Sequence, residues 1–289
     1  MTSERKTALA SLTIVLAGCI WGLYWLPVRA LEQAGLGGAL GSLAVVVVAL
    51  VLVLPLAWRR RDPRGVDYGG AAATAVGGTA FMLYSVGLVE GRIASVILLF
   101  YLTPVWTTLI EVAVLRWPVP WLRYPVILLG LIGLGLVLGA DGGWPLPRAA
   151  GEWLGLLAGL LWSLGTIGMR ARPELRPLSG TTFFLLGALL AGLLLWATLP
   201  TTAAIEPNMN AGAIAWLVAA ALVWWSGSML ALVWAAARLE PARVGILLMS
   251  EVLVGVVSAA LWAGETMVPI QMLGASLLVA AGVLDALLG

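Results

Sequence analysis

The 289-residue chain contains no histidine, one cysteine (Cys19) and one lysine (Lys6). A disulfide within the chain is therefore impossible, and no Cys/His cluster for zinc, heme iron or an iron–sulfur centre can be assembled. Neither a metal nor any other cofactor is expected. Charge is scarce too: Asp, Glu, Lys and Arg make up 10% of the residues, against about 25% in soluble domains. What is present instead is apolar, 62% of the chain, with a mean hydropathy of +1.04. So few charges cannot cover a water-soluble body of this size, and apolar segments recur along the whole length. The chain reads as a polytopic membrane protein rather than a single-pass or lipid-anchored one. Its small basic excess, net +2, comes from Arg in short loops and reports topology, not a nucleic-acid partner. No cleavable signal is read at the N-terminus, where the first apolar run starts near Thr7. No Walker-type phosphate loop occurs, which argues against ATP-driven transport by this chain alone.

A membrane-crossing helix needs about 20 mostly apolar residues. That length places spans near 7–28, 37–58, 67–88, 93–115, 121–140, 150–169, 179–199, 211–236, 243–263 and 269–288. Ten spans put both termini on one side. With that side cytoplasmic, the inner loops and ends hold Arg5, Lys6, Arg59, Arg60, Arg61, Arg64, Arg116, Arg123, Arg170, Arg172, Arg176, Arg238 and Arg243. Only Arg29, Arg92 and Arg148 fall outside. One missed or invented span would break this alternation, so the charge pattern supports ten independently of hydropathy. The expected location is the inner (plasma) membrane, multi-pass, with N- and C-termini cytoplasmic.

The chain also repeats itself. Ala17-Gly18-Cys19-Ile20-Trp21-Gly22-Leu23, followed by Arg29, matches Ala158-Gly159-Leu160-Leu161-Trp162-Ser163-Leu164, followed by Arg170, at an offset of 141. Ala94-Ser95 and the run to Pro104 match Pro241-Ala242 and the run to Glu251 at an offset of 147, and Leu129-Gly130 aligns with Leu273-Gly274. The expected fold is all-α and integral to the membrane, ten transmembrane helices as two inverted five-helix repeats, residues 1–140 and 150–289. Five is odd, so the second half enters the membrane from the opposite side. Opposed repeats are the architecture of secondary transporters, with the substrate held near mid-membrane where the halves meet.

The duplicated AGxxW tract resembles the drug/metabolite transporter superfamily, specifically its ten-helix EamA-type members. So does the final stretch, Leu239-Glu240-Pro241-Ala242-Arg243 through Ser250-Glu251-Val252 to Gly264-Glu265-Thr266 and Leu273-Gly274-Ala275. The likeness covers essentially the whole chain. It departs where Pro118 stands opposite Glu265, and where Glu251 replaces the family's usual proline of the ninth span. Within the superfamily, 15 Trp and the tyrosines at span midpoints look most like the YddG-type exporters of aromatic and other neutral amino acids.

Helical spacing selects candidate residues. On the fourth span, Tyr101, Pro104, Thr108 and Glu111 share one stripe, and the repeat-equivalent stripe of the ninth is Leu248, Glu251, Gly255 and Ser258. Polar groups have no reason to face lipid, so both stripes are expected to face a wet interior. Glu251 lies about two turns into its span, where a charge costs on the order of 2.5 kcal/mol or more. It is the first candidate to hold a substrate ammonium or to titrate as a coupling proton site; the alternative is a capped structural carboxylate. Glu111, with Arg116 at i+5, is open to a coupling or an interfacial role, and Asp285 is expected at the interface. Trp58, Trp117, Trp121, Trp144 and Trp153 fit an interfacial belt. Trp21, Tyr24, Tyr84, Tyr101, Trp162 and Trp225 lie deeper, with Ser228 one turn from Trp225, and form the expected substrate-binding set with Glu251. Pro27 and Pro55 are expected to kink gating helix ends, and Pro104 to free a backbone carbonyl. Gly18/Gly22, Gly135/Gly139 and Gly151/Gly155/Gly159 have the spacing of close helix crossings.

Alternating-access export of a neutral, preferably aromatic, amino acid is the leading expectation. A multidrug, quaternary-amine or other small-metabolite exporter is the alternative. Nucleotide-sugar and sugar-phosphate substrates are disfavoured because the span centres carry no Lys or Arg. A membrane-embedded enzyme would need a nucleophile with a base, or a metal, and the deep carboxylates have no evident catalytic partner. The expected partners are a small-molecule substrate and the bilayer, not nucleic acid; the oligomeric state is open and a monomer suffices.

Overall fold

A computed structural model describes residues 3–59, 67–116, 121–140, 146–171, 177–199, 208–236, 238–239 and 241–288. Among these residues the regular structure is helical, without a strand, and it forms ten spans. Seven are long and apolar enough to cross a bilayer, and three shorter apolar helices complete the count: Arg123–Leu138, Ile246–Trp262 and Pro269–Asp285. In order the spans are Ser3–Gly22 with Trp25–Gln33, Ala39–Arg59, Tyr68–Glu90, Ile93–Val114, Arg123–Leu138, Ala150–Ala171, Pro177–Thr198, Ala211–Ala236, Pro241–Trp262 and Pro269–Leu288. Side chains at the ends start several of them. Asp67 accepts from the amides of Gly69 and Gly70 before the third span, and Asn210 accepts from Ala213 before the eighth.

Four spans depart from the uniform helices that hydropathy predicts. The first runs on to Gln33 instead of ending near residue 28, because it breaks at Leu23–Tyr24 and restarts. Pro27 has no amide to offer the Leu23 carbonyl, which takes the Leu26 amide at 3.1 Å instead. Pro27 therefore sits in the first turn of the restarted helix, beside a mid-span break, whereas Pro55 is carried inside the continuous helix Ala39–Arg59. The fourth span breaks at Tyr101–Leu102, just before Pro104. The carbonyl that Pro104 frees, that of Phe100, accepts from the Thr103 hydroxyl at 2.7 Å. The ninth breaks at Met249, and the Ser250 hydroxyl donates to Leu247 at 2.8 Å. Residues 100 and 103 correspond to 247 and 250 at the repeat offset of 147, so one device is built twice. The eighth span passes through a π-helical stretch, Ala220–Gly227, and the fourth ends in one, Ile110–Val114.

The halves interleave. The first span packs on the eighth and ninth, and the fourth and third on the sixth. The second packs on the seventh and the fifth on the tenth. Glycines seat these crossings, as helices in lipid approach closely only through small residues. Gly18 faces the break of the ninth span at Ser250, and Gly159, its repeat equivalent, faces the Phe100 carbonyl at the break of the fourth. Gly22 lies against the Glu251 carbonyl and the Gly255 amide. Gly133, not Gly135, marks the crossing of the fifth and tenth spans, against Gly274. Outward faces are apolar, with Val51, Leu190 and Leu261 exposed, and Trp58, Trp121 and Trp153 are exposed at span ends. Trp117, Pro118 and Trp144 lie outside the described residues. The repeats are not in equivalent surroundings: in an apolar 18-residue stretch of the third span 67% of residues are buried, against 39% in the eighth.

The third and seventh spans touch backbone to backbone at Gly78, where an added Cβ would collide with the Phe184 carbonyl. Gly78→Ala is expected to lower the midpoint of thermal unfolding in detergent, with a loss of about 1–3 kcal/mol from overpacking. Gly135→Ala, which meets nothing, is expected to be neutral or to stabilise by up to about 1 kcal/mol.

Candidate functional site

A carboxylate buried among apolar spans needs donors. Glu251 follows the Met249 break by one residue beyond Ser250, so the helix restart sets its side chain into the centre of the bundle, where it is 1% exposed. The Tyr101 phenol donates to Glu251 Oε2 at 2.6 Å, and the Tyr84 phenol donates to Oε1 at 3.3 Å. Tyr101 also reaches the Leu248 carbonyl, at 3.3 Å. One carboxylate of the second half thus holds two phenols of the first. The arrangement can take a cation or a proton wherever a phenol withdraws, because the oxygens then lack a donor.

The aromatic residues continue from this carboxylate. Tyr84 lies 4.7 Å from Phe100 and 6.0 Å from Phe81, centroid to centroid. Phe81 is the hub: it also meets Trp21 at 5.7 Å, Tyr24 at 5.2 Å, Phe184 at 5.9 Å and Trp225 at 4.7 Å. Trp21 and Trp162, equivalent in the repeat, meet edge to face at 6.2 Å. Four indole edges have hydrogen-bond partners within the bundle, whereas the buried indole N–H of Trp106 has none among the described residues. The Trp225 indole donates to the Tyr24 phenol at 2.6 Å, and that phenol pairs with the Ser85 hydroxyl, itself paired with Ser42. The Trp21 indole donates to the Ser228 hydroxyl at 2.7 Å, and Trp25 donates to Ser258 at 3.0 Å. The π-helical stretch of the eighth span lets the adjacent residues Trp224 and Trp225 both donate to the first span, at the Ile20 carbonyl and the Tyr24 phenol.

Trp21, Tyr24, Tyr84, Tyr101, Trp162, Trp225, Ser228 and Glu251 therefore belong to one connected network. Glu111 does not. It accepts from Arg123 at 2.7 Å, with Asp285 3.5 Å from the same guanidinium, near the end of the bundle where the chain termini lie. Its partner is Arg123 of the fifth span, not Arg116, which has a left-handed backbone in the loop (φ 54°). The break at Tyr101–Leu102 and the π-turn at Ile110 shift the register, so Tyr101 and Glu111 serve different neighbours although a straight helix would align them. Pro104 lines a narrow crevice with Tyr101, against Val126 and Gly130 of the fifth span and Ala281 of the tenth. Phe81, Phe184, Ser42 and Ser85 were not singled out by spacing. Isolated hydroxyls within apolar spans were the available signal for the serines; a phenylalanine in an apolar span carries none.

The Tyr101–Glu251 bond is the shorter of the two phenol bonds. A double-mutant cycle of Tyr101→Phe and Glu251→Gln, read by unfolding in mild detergent, is expected to give a coupling of about 1–3 kcal/mol, as for hydrogen bonds to charged groups. Additive effects would mean that the bond does not contribute.

No curated protein matches the sequence. Among solved structures, one titled "Crystal structure of protein" superposes with a TM-score of 0.61 at 18% identity, covering 96% of this chain and 98% of its own, a likeness of fold. The EamA-like transporter family matches twice, over residues 8–139 and 149–284. Two family units in succession account for the duplicated AGxxW tract, the paired breaks at Tyr101 and Met249 and the interleaved spans, and the chain belongs to the EamA-like transporter family.

Proposed function

We propose that this protein exports neutral amino acids, preferably aromatic ones, across the inner membrane by alternating access. Residues 1–140 and 150–289 act as the two opposed units, with both termini cytoplasmic. The observation that carries the reading is the buried Glu251 carboxylate, held by two phenols and adjoining a continuous aromatic cluster. An amino acid answers both parts. Its ammonium brings three donors to oxygens that the phenols vacate, replacing hydrogen bonds worth about 1.5–3 kcal/mol each to a charged acceptor. Its ring packs against Phe81, Tyr84 and Trp21 by the same offset and edge contacts the cluster makes with itself. The substrate carboxylate has hydroxyls and the backbone at the span breaks to meet it.

A proton and a substrate ammonium satisfy the same carboxylate, so Glu251 holds one at a time. Exchange follows: substrate leaves as a proton enters, and a proton gradient drives export. A quaternary amine would use the same carboxylate and rings through cation–π contact, and it is the second reading.

The test is uptake of labelled phenylalanine or tryptophan into proteoliposomes, with and without an acidic lumen. Wild type is expected to give saturable flux accelerated by the gradient. Glu251→Gln is expected to raise KM about ten- to a hundredfold, as for loss of a hydrogen bond to a charged group, and to abolish the response to the gradient. Saturable wild-type flux indifferent to the gradient would keep the substrate and remove the exchange. No amino-acid flux from folded protein, with flux of a quaternary amine, would establish the second reading in its place.

A further inference from the structure

Glu251 is not the only carboxylate that the ninth span applies to the fourth. Beyond its C-terminal end the chain turns at Gly264, whose φ of +67° suits glycine, and presents Glu265. Its two oxygens accept from the backbone amides of Ile93 and Ala94, at 2.7 Å and 3.0 Å. These are orphan donors at the start of the half-helix Ile93–Phe100, which has no side-chain cap of its own. All eight residues of that half-helix are buried, and its other end passes directly into Tyr101, the residue bound to Glu251. One buried segment of the first half is therefore held at both ends by carboxylates of the second, Glu251 in mid-membrane and Glu265 at the other end. Two further bonds tie the same turn: Arg92 donates to the Thr266 carbonyl at 3.1 Å, and Arg29 donates to the Gly91 carbonyl at 3.0 Å.

We propose that Glu265 is the positioning residue that latches this end of the bundle and couples it to the central site through the half-helix Ile93–Phe100. When Glu251 exchanges its phenol for a substrate or a proton, the clamp is released at one end and the Glu265 cap is left to hold the other. Opening at this end requires both to let go, because parting the ninth span from the fourth strips Ile93 and Ala94 of their acceptor until water enters. The repeat makes the latch one-sided. Position 118, the counterpart of 265, is proline, so the first half has no carboxylate at that position for a reciprocal cap on the second. The fold therefore biases the resting protein toward closure at the Glu265 end. The inference rests on alternating access but not on the identity of the substrate.

The test reads accessibility, so it needs no flux and stands apart from the amino-acid assay. In the full chain with Cys19→Ser, a reporter cysteine is placed either at Ser95, buried inside the clamped half-helix, or at Thr108, buried toward the opposite end. Each is labelled with a small maleimide in proteoliposomes with both faces reached by the reagent. Glu265→Ala is expected to speed labelling at position 95 about tenfold, the population change that loss of one helix cap corresponds to, and to leave position 108 unchanged or slower. Glu265→Gln, which keeps one acceptor oxygen, is expected to give a smaller shift of the same sign and serves if the alanine variant does not fold. Unchanged labelling at position 95 would overturn the latch. Labelling that rises equally at both positions would overturn it too, since it would mean general loosening.

Discussion

Inside a bilayer a polar group has only the protein to pair with, and this constraint shapes everything at the centre of the bundle. Glu251 could not remain there without Tyr84 and Tyr101, and those phenols are brought to it by spans of the other half. The same requirement recruits Ser228 to Trp21, Ser258 to Trp25 and Ser85 to Tyr24. Lipid supplies no hydrophobic force between helices, so the pairing and the glycine seats hold the halves together. A transporter benefits from this economy. Contacts made of a few directional bonds and smooth glycine crossings can be exchanged for others without exposing a large apolar core.

The two halves repeat one plan but use it for different ends. Thr103 and Ser250 treat the broken helix alike, each turning its hydroxyl to the carbonyl three residues back. Gly18 and Gly159 seat those breaks alike. What differs is the residue presented after the break. The fourth span offers Pro104, which has no amide to close the turn, and the ninth offers Glu251, a buried carboxylate. Tyr101 and Leu248 are repeat equivalents, a phenol in one half and an aliphatic chain in the other, and the phenol reaches the Leu248 carbonyl. Symmetry supplies the frame and its departures set the residues apart, so this buried carboxylate appears once, near the line where the halves meet.

The membrane class, the ten spans and the duplication were legible without coordinates, because hydropathy, arginine placement and offset matches are properties of the chain read in order. The burial of Glu251 was legible for a related reason: a carboxylate deep in an apolar run must be buried against donors. Phe81 was not, since five rings converge on it and four of them come from other spans. Glu111 shows the limit of helical spacing. It shares a stripe with Tyr101 on paper, and the break and the π-turn between them send the two residues to separate partners.

The sequence alone determined how many times the chain crosses, since that depends on transfer energies along the chain. It marked the bends beside Pro27 and Pro104 through the amides that proline lacks, but not the break at Met249, and at Pro55 the helix runs on unbroken. The tertiary structure alone decided which bends face each other. It set two tyrosines against one carboxylate and Glu265 against the amides of Ile93 and Ala94, partners more than 150 residues away in three of the four bonds. No local propensity encodes such pairs. They exist because ten packed spans leave each buried donor and acceptor only a few neighbours within reach.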